Sequence, residues 1–255
     1  MAVIVFLLGR PGSGKSQIAR CLKDNETLAT PDLKEKCLPE DWVVDHLTDY
    51  AVLRAMFQEE LDLKARGLVL ERERFCIGDQ KLGGFTVLDF AVLQTALTRV
   101  NESILRAFES PRKLILVEFA RNNYLQALEA FDQTILAHAY FFYLETDRNI
   151  CKERIAARAT HRRYEDDNFV SEQIMDGYYQ QDDFPRLREA LGPEKLKVIK
   201  NDGELADVWL QIREYVRKWC FPNSQQSIHQ GGTGARLTAS GGRYNSSVYP
   251  LLNYV

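Results

Sequence analysis

Val3-Ile4-Val5-Phe6-Leu7-Leu8-Gly9-Arg10-Pro11-Gly12-Ser13-Gly14-Lys15-Ser16 decides how the rest of the chain is read. The first six residues form an unbroken apolar, partly β-branched run. Lack of polar alternation is the mark of a parallel strand covered on both faces. Gly9 to Ser16 then matches G-x-x-x-x-G-K-[ST] in full, directly after that strand and before a helix expected over about 14–23. This is the context the motif requires. Glycines at 12 and 14 allow backbone conformations closed to residues with a Cβ, so that successive N–H groups can turn inward around a phosphate. The helix start adds unpaired N–H donors and the positive end of its dipole. Lys15 is expected to span the β- and γ-phosphates of a nucleoside triphosphate, and Ser16 to offer its hydroxyl to Mg²⁺. Gly9, Arg10, Pro11, Gly12, Ser13, Gly14, Lys15, Ser16 and Gln17 are the candidate nucleotide contacts. The bland alternative is a Gly-rich turn that binds nothing, which the complete octapeptide in this setting disfavours. The motif implies ATP or a similar triphosphate with Mg²⁺; it leaves the reaction open.

Composition narrows the field. The 255 residues are 45% hydrophobic and 27% charged, as in an ordinary globular protein with a buried core. The formal charge of −3 gives no support to wholesale binding of nucleic acid or anionic membrane. The five cysteines (Cys21, Cys37, Cys76, Cys151, Cys220) are scattered and never spaced C-x-x-C. That argues against a disulfide framework or a zinc site and fits a reducing cytoplasm. Ala2 to Leu8 lacks the basic flank of a signal peptide and stops at Gly9-Arg10. No window reaches the roughly 18 apolar residues of a membrane span.

Further buried runs follow at 114–117, 139–144 and 196–199, with Phe75-Cys76-Ile77 as a candidate fifth strand. Helical periodicity is expected over 49–65, 86–108 (opened by Thr86 and Asp89 at capping-box spacing), 122–138, 147–159 and from about 202. The last repeats Leu205, Val208, Trp209, Ile212, Val216 and Trp219, a core stripe. The alternation predicts an α/β domain over 1–220 with a mainly parallel sheet. Residues 221–255 carry only two charges, Arg236 and Arg243, among Gly, Ser and Asn. A disordered tail is the expectation there, although Val248 to Val255 turns apolar again.

Three further features bear on chemistry. Glu118 ends the 114–117 run, where open α/β sheets place ligands. It would hold Mg²⁺ or act as a base, unless it is a solvated strand end. Arg121 follows it and would grip an acceptor or stabilise a transferring phosphoryl group, unless it is a surface arginine paired to an acid. Arg148 to Arg163 is rich in cations, with Arg154, Arg158 and Arg162 on one helical face. Such a row suits a polyphosphate, and the polar run to Asn168 suits a flap that excludes water; a solvated charged helix is the alternative.

Together these features resemble the P-loop nucleoside and nucleotide kinases (adenylate, thymidylate and cytidylate kinases and the deoxynucleoside kinases). The resemblance spans about 1–220 and is sharp only at the P-loop. It implies five parallel strands with helices on both faces, an acceptor-binding insertion at about 25–85 and an Arg-rich lid at about 154–168. It implies ATP·Mg²⁺ as donor and a small-molecule phosphate acceptor, a nucleoside or nucleoside monophosphate first among them. By this likeness Lys15, Glu118, Arg121, Arg154 and Arg158 are the catalytic candidates, and Ser16 and Glu118 the metal candidates. The chain departs from the family in setting Phe119 and Ala120 between acid and arginine. Glu71-Arg72-Glu73-Arg74 and Gly78 to Phe85 are the most site-like parts of the insertion, with a charged edge strand and an ordinary turn as equally good readings. The chain lacks the D-x-x-G and N-K-x-D of a GTPase and the LSGGQ of a transporter ATPase. A polynucleotide kinase and a nucleotide-binding module without phosphotransfer stand as alternatives.

Overall fold

A computed structural model of the chain describes residues 1–24, 37–68, 71–78, 84–161, 170–203 and 205–222. In chain order its elements are β1 (Val3–Leu8), α1 (Lys15–Asp24), β2 (Val43–Thr48), α2 (Asp49–Ala65), β3 (Phe75–Ile77), β4 (Phe85–Val87), α3 (Ala91–Ala107), β5 (Lys113–Glu118), α4 (Tyr124–Leu128), α5 (Gln133–His138), β6 (Ala139–Glu145), α6 (Arg148–Thr160), α7 (Glu172–Gly177), α8 (Phe184–Lys195), β7 (Leu196–Lys200) and α9 (Leu205–Cys220). Five strands form one sheet in the order β2-β5-β1-β6-β7, and every pairing in it is parallel. Leu7 and Thr48 both pair with Glu118, so the carboxyl ends of β1, β5 and β2 lie level. Ligands of open parallel sheets sit at that edge.

Both faces of the sheet are covered, which explains the uninterrupted apolar runs. Ile4, Phe6 and Leu8 face one way, against α3, α4, α5 and α8; Val5 and Leu7 face the other, against α1 and α9. Phe6 is fully buried and meets Phe131 edge-on and Phe141 face-on. A third, smaller cluster of Leu53, Met56, Phe75, Val92 and Ala96 joins α2, β3 and α3.

Several elements differ from the sequence reading. Phe75–Ile77 is a strand, but it pairs only with Phe85–Val87, antiparallel and outside the main sheet. The fifth parallel strand is β2, whose apolar run is broken by Asp45 and His46. It is an edge strand with a half-open face, which admits polar residues; Asp45 accepts from Lys113 of β5 at 2.9 Å. The helix expected from Thr86 begins at Ala91, because Val87 belongs to β4 and packs on the same third cluster. Asp89 bonds the Ala91 N–H and takes no part in a box with Thr86. The helix expected over 122–138 is two short ones. Asp132 caps the second through Thr134, and the chain between them buries Phe131. The final helix starts at Leu205. Two helices, α7 and α8, had no counterpart in the reading; Pro185 opens α8 and Gly192-Pro193 kinks its end. Residues 25–36, the stretch 79–83, Arg162 to Asn168 and the tail from 223 lie outside the described residues. Among the described residues no helix is long and apolar enough to cross a membrane.

Candidate active site

The strand-to-helix bend is built from backbone that only glycine tolerates. Gly12 and Gly14 have φ of +81° and +96°. A Cβ on Gly12 would collide with the Cys151 carbonyl of α6, and one on Gly14 with the Asn201 amide. The loop is thus pressed against two neighbouring elements. Asn201, just past β7, donates from Nδ2 to the Ser13 carbonyl at 2.7 Å. From the other side the Gly9 N–H donates to the buried Tyr124 hydroxyl at 2.9 Å. Lys15 is buried and its Nζ donates to the Gly9 and Arg10 carbonyls at 2.8 and 2.9 Å. Burial pushes its ammonium below the ordinary lysine value, with the charge of Glu118 opposing that shift. Arg10 turns away from this interior, toward the Tyr179 carbonyl and Asp182.

Ser16 opens the first turn of α1, and its hydroxyl donates to Glu118 Oε1 at 2.8 Å. His46 Nε2 lies 2.9 Å from Glu118 Oε2. Burial works to raise the Glu118 pKa, but the His46 hydrogen bond, the Lys15 charge and the Ser16 hydroxyl outweigh it and hold the carboxyl below its usual range. Glu118 is therefore a half-buried, ionised group and not a solvated strand end. Among the described residues no three His, Cys, Asp or Glu gather to hold a metal alone. A hydroxyl and a carboxylate at hydrogen-bond distance, beside phosphate oxygens, are the hard donors Mg²⁺ takes, so the pair fits such an ion.

Asp49 follows β2 directly as the first residue of α2, and Arg121 lies three residues beyond β5. Their side chains form a buried ion pair, Nη1 to Oδ2 at 2.5 Å. Arg121 also donates to the Ala120 and Leu93 carbonyls at 2.7 and 3.1 Å. Burial alone would weaken its charge; the Asp49 carboxylate more than compensates and raises its pKa. Arg121 is thus no surface arginine, and three of its N–H donors serve partners inside the protein.

A cavity of about 600 Å³ connects these groups. Pro11 to Gln17 except Ser13 line it, with Glu118, Arg154 and Arg158, and so do Asp49, Arg121, Tyr50, Leu53, Phe85, Phe90 and Tyr178; the charges of Lys15 and Glu118 act on Asp49. Ser13 is fully buried under the loop and lines nothing. Arg154 and Arg158 share the cavity-facing side of α6, where Arg154 donates to the Asn201 carbonyl at 3.0 Å. Arg148 and Lys152, from the same cationic stretch, instead reach Asp176 of α7. Of the acidic–basic stretch in the insertion, Arg74 pairs with the buried Glu60 at 3.0 Å and Glu73 with Lys64. It forms a structural ion network outside the cavity wall. Gly84 and Phe85, the end of the Gly78–Phe85 stretch, do line the cavity.

The sequence reading passed over Asp49, His46, Tyr124 and the aromatic wall. Asp49 carried a usable signal, an acid between a strand end and a helix start, but β2 itself went unseen. His46 became significant only through strand pairing.

Strand order, P-loop geometry and the α6 arginines agree. The fold is an open parallel α/β sheet with a P-loop between β1 and α1. No family model matches the chain, and no curated protein matches it. Similar solved structures include Kti12 from Chaetomium thermophilum in complex with ADP-AlF3, at 13% identity and a TM-score of 0.49, over 84% of this chain and 96% of that one. A sugar kinase from a Janibacter species shows 14% identity and a TM-score of 0.45, over 85% and 95%. Shikimate kinase from Acinetobacter baumannii, in complex with shikimate, shows 14% and 0.41, over 88% and 96%. These are distant likenesses of chain path, and the fold assignment stands on the geometry above.

Proposed function

We propose that the protein is an ATP-dependent phosphotransferase that moves the γ-phosphoryl group of Mg²⁺·ATP to a hydroxyl of a small molecule, of nucleoside or nucleotide type. One observation carries the reading: a single cavity is lined by a P-loop lysine, a Ser16–Glu118 oxygen pair and a buried Asp49–Arg121 pair. A site that only bound a triphosphate would have no use for the second pair.

In this reading Lys15 leaves the Gly9 and Arg10 carbonyls and moves its charge to the phosphates, as the α1 amides orient them. When bound, Mg²⁺ would supply charge neutralisation to the phosphates, and Ser16 and Glu118 would hold it. His46 fixes the rotamer of Glu118. Asp49 serves as base: Arg121 occupies Oδ2, and no described residue bonds Oδ1. The acceptor oxygen forms its bond to phosphorus as the bond to the β-phosphate oxygen breaks. The electron pair leaves on ADP, and the hydroxyl proton passes to Asp49. Arg154 and Arg158 offset the charge spread over the transferring group.

ADP release from Mg²⁺·ATP with an acceptor panel tests this reading. Lys15→Ala should lower ADP release by about 10²-fold or more and weaken ATP binding. Glu118→Gln should lower turnover by a similar factor while ATP affinity changes only a few-fold. Unchanged turnover in Lys15→Ala would refute the assignment.

A further inference from the structure

Arg10 stands between two networks. Its carbonyl accepts the Ser13 N–H at 3.1 Å and the Lys15 ammonium at 2.9 Å, inside the phosphate loop. Its guanidinium points the other way. Nε donates to the Tyr179 carbonyl at 3.0 Å, and Nη2 lies 3.4 Å from Asp182 Oδ2. Asp182 also accepts the Tyr143 hydroxyl of β6 at 2.7 Å, so the carboxylate is held in place to receive the arginine. The Arg10 and Asp182 side chains are only 23% and 7% exposed, which shields them from much of the screening that makes surface ion pairs weak.

Residues 178–183, which join α7 to α8, form a strap fastened to the loop after β5. Asp183 accepts the Tyr124 and Leu125 N–H groups at 2.6 and 2.9 Å, and its own N–H donates to the Asn122 carbonyl at 3.1 Å. The strap brings Tyr178 and Tyr179 into the cavity lining. The Tyr179 hydroxyl donates to the Ala120 carbonyl at 3.3 Å, and that same carbonyl accepts Arg121, the partner of Asp49. A continuous run of bonds thus leads from Lys15 through Arg10 and Tyr179 to the Asp49–Arg121 pair. Continuity does not by itself make two sites communicate; an element with two positions is needed. Lys15 is that element. Its ammonium rests on the Gly9 and Arg10 carbonyls, and a triphosphate draws it to the phosphates.

We propose that Arg10 is a positioning residue that seats the strap, with Tyr178 and Tyr179, according to whether the phosphate loop is filled. A bound triphosphate fixes the loop backbone through its N–H groups. Arg10 then reaches the strap from an ordered main chain, and the strap loses less entropy on docking. The docked strap keeps Tyr179 on the Ala120 carbonyl that Arg121 also bonds. Donor binding thereby sets the surroundings of the Asp49–Arg121 pair before an acceptor arrives. The inference rests on triphosphate binding at the loop, as in the reading above, and not on the nature of the acceptor.

Hydrogen exchange on the full chain tests this. The Tyr179 N–H donates to the Ile174 carbonyl and the Asp183 N–H to that of Asn122, so both amides report opening of the strap. Their rates are compared without nucleotide and with Mg²⁺ and the non-hydrolysable analogue AMPPNP, at a concentration that calorimetry shows to saturate each variant. In the parent the nucleotide should slow both amides about tenfold. In Arg10→Ala that ratio should fall below about twofold. An Arg10 with a merely structural role would raise exchange equally in both states and leave the ratio intact, which would overturn the proposal. Asp182→Asn removes the charge facing Arg10 but keeps an oxygen for the Tyr143 hydroxyl, and the ratio should drop to about threefold or less. Arg10→Lys keeps a cation opposite Asp182 and should restore part of what Arg10→Ala loses. If Arg10→Ala fails to melt cooperatively, Asp182→Asn decides, and a ratio equal to the parent's in that variant would overturn the proposal. So would AMPPNP that binds the parent without slowing the strap. Failure of AMPPNP to bind the parent at all would sink triphosphate binding itself, and this inference with it.

Discussion

Glu118 keeps a charge in a place that opposes one. Three neighbours, His46, Lys15 and Ser16, tip the balance, so its carboxyl titrates below the ordinary 4.5 in the folded chain. The consequence for stability has a definite sign. Between the depressed folded value and 4.5 the unfolded chain binds a proton that the folded chain refuses, and acid therefore favours unfolding. The contribution is full above the unfolded value and disappears as pH falls through the folded one. Glu118→Gln mimics the neutral acid, so the Tm advantage of the parent over this variant should be greatest near neutrality and shrink as pH drops below about 4.5. A gap that stays constant over thermal melts in that range would show that the carboxylate is not held by these partners. Gly12 makes a second residue-level case. Its φ of +81° and the Cys151 carbonyl above it both exclude a side chain. Gly12→Ala should cost about 2–3 kcal/mol, visible as a lowered Tm, and should abolish triphosphate binding. This part of the site was legible because its chemistry is local: eight consecutive residues specify both bend and charge. Asp49 and His46 were not, because their roles depend on β2 lying beside β5. Nothing in the order of residues announces that pairing.

At the level of elements, the regular runs were readable wherever one environment persists over a whole strand or helix. β1, β5 and β6 are buried on both faces and read as continuous apolar stretches; α9 shows an uninterrupted period. The reading failed where an element meets two environments. β2 is half open at the sheet edge, and Val87 of β4 extends the stripe of α3 into a strand that packs on the same cluster. That cluster is distinct from the two large cores and is joined to the first through Val52, which gives the insertion an energetics largely its own. Phe75 is 1% exposed at its centre, touching the rings of Phe57 and Phe85. Phe75→Ala should remove about 3–5 kcal/mol of packing. The loss should be borne locally, by α2, the β3–β4 hairpin and the start of α3. Hydrogen exchange should accelerate in those segments and leave β1, β5 and α1 protected. ATP affinity should hold while acceptor KM rises, since Phe85 lines the cavity. Equal acceleration throughout the sheet would mean that the insertion and the core unfold as one.

For the molecule as a whole, the question is which residues the fold needs. One face of the sheet is closed by α3, α4, α5 and α8; the other depends on α1 and α9. From α9 alone come Val208, Trp209, Ile212, Val216 and Trp219, all buried, with Trp219 stacked on Tyr140 of β6 at 4.4 Å. Fully burying one such side chain contributes roughly 1.5–3 kcal/mol. Together they match the whole net stability of a typical domain, about 5–15 kcal/mol. A chain ending at Gly203 should therefore lack a cooperative melt. The described compact unit runs from Met1 to Pro222, two residues beyond the boundary expected from composition. The segment that follows has few groups able to offset the entropy of ordering it. A chain ending at Pro222 should consequently melt within about 2 °C of the full chain and bind Mg²⁺·ATP with the same affinity. A large loss of Tm on that truncation would reveal that residues 223–255 cover apolar surface in the folded protein, with the apolar end from Val248 to Val255 the first segment to test by stepwise deletion.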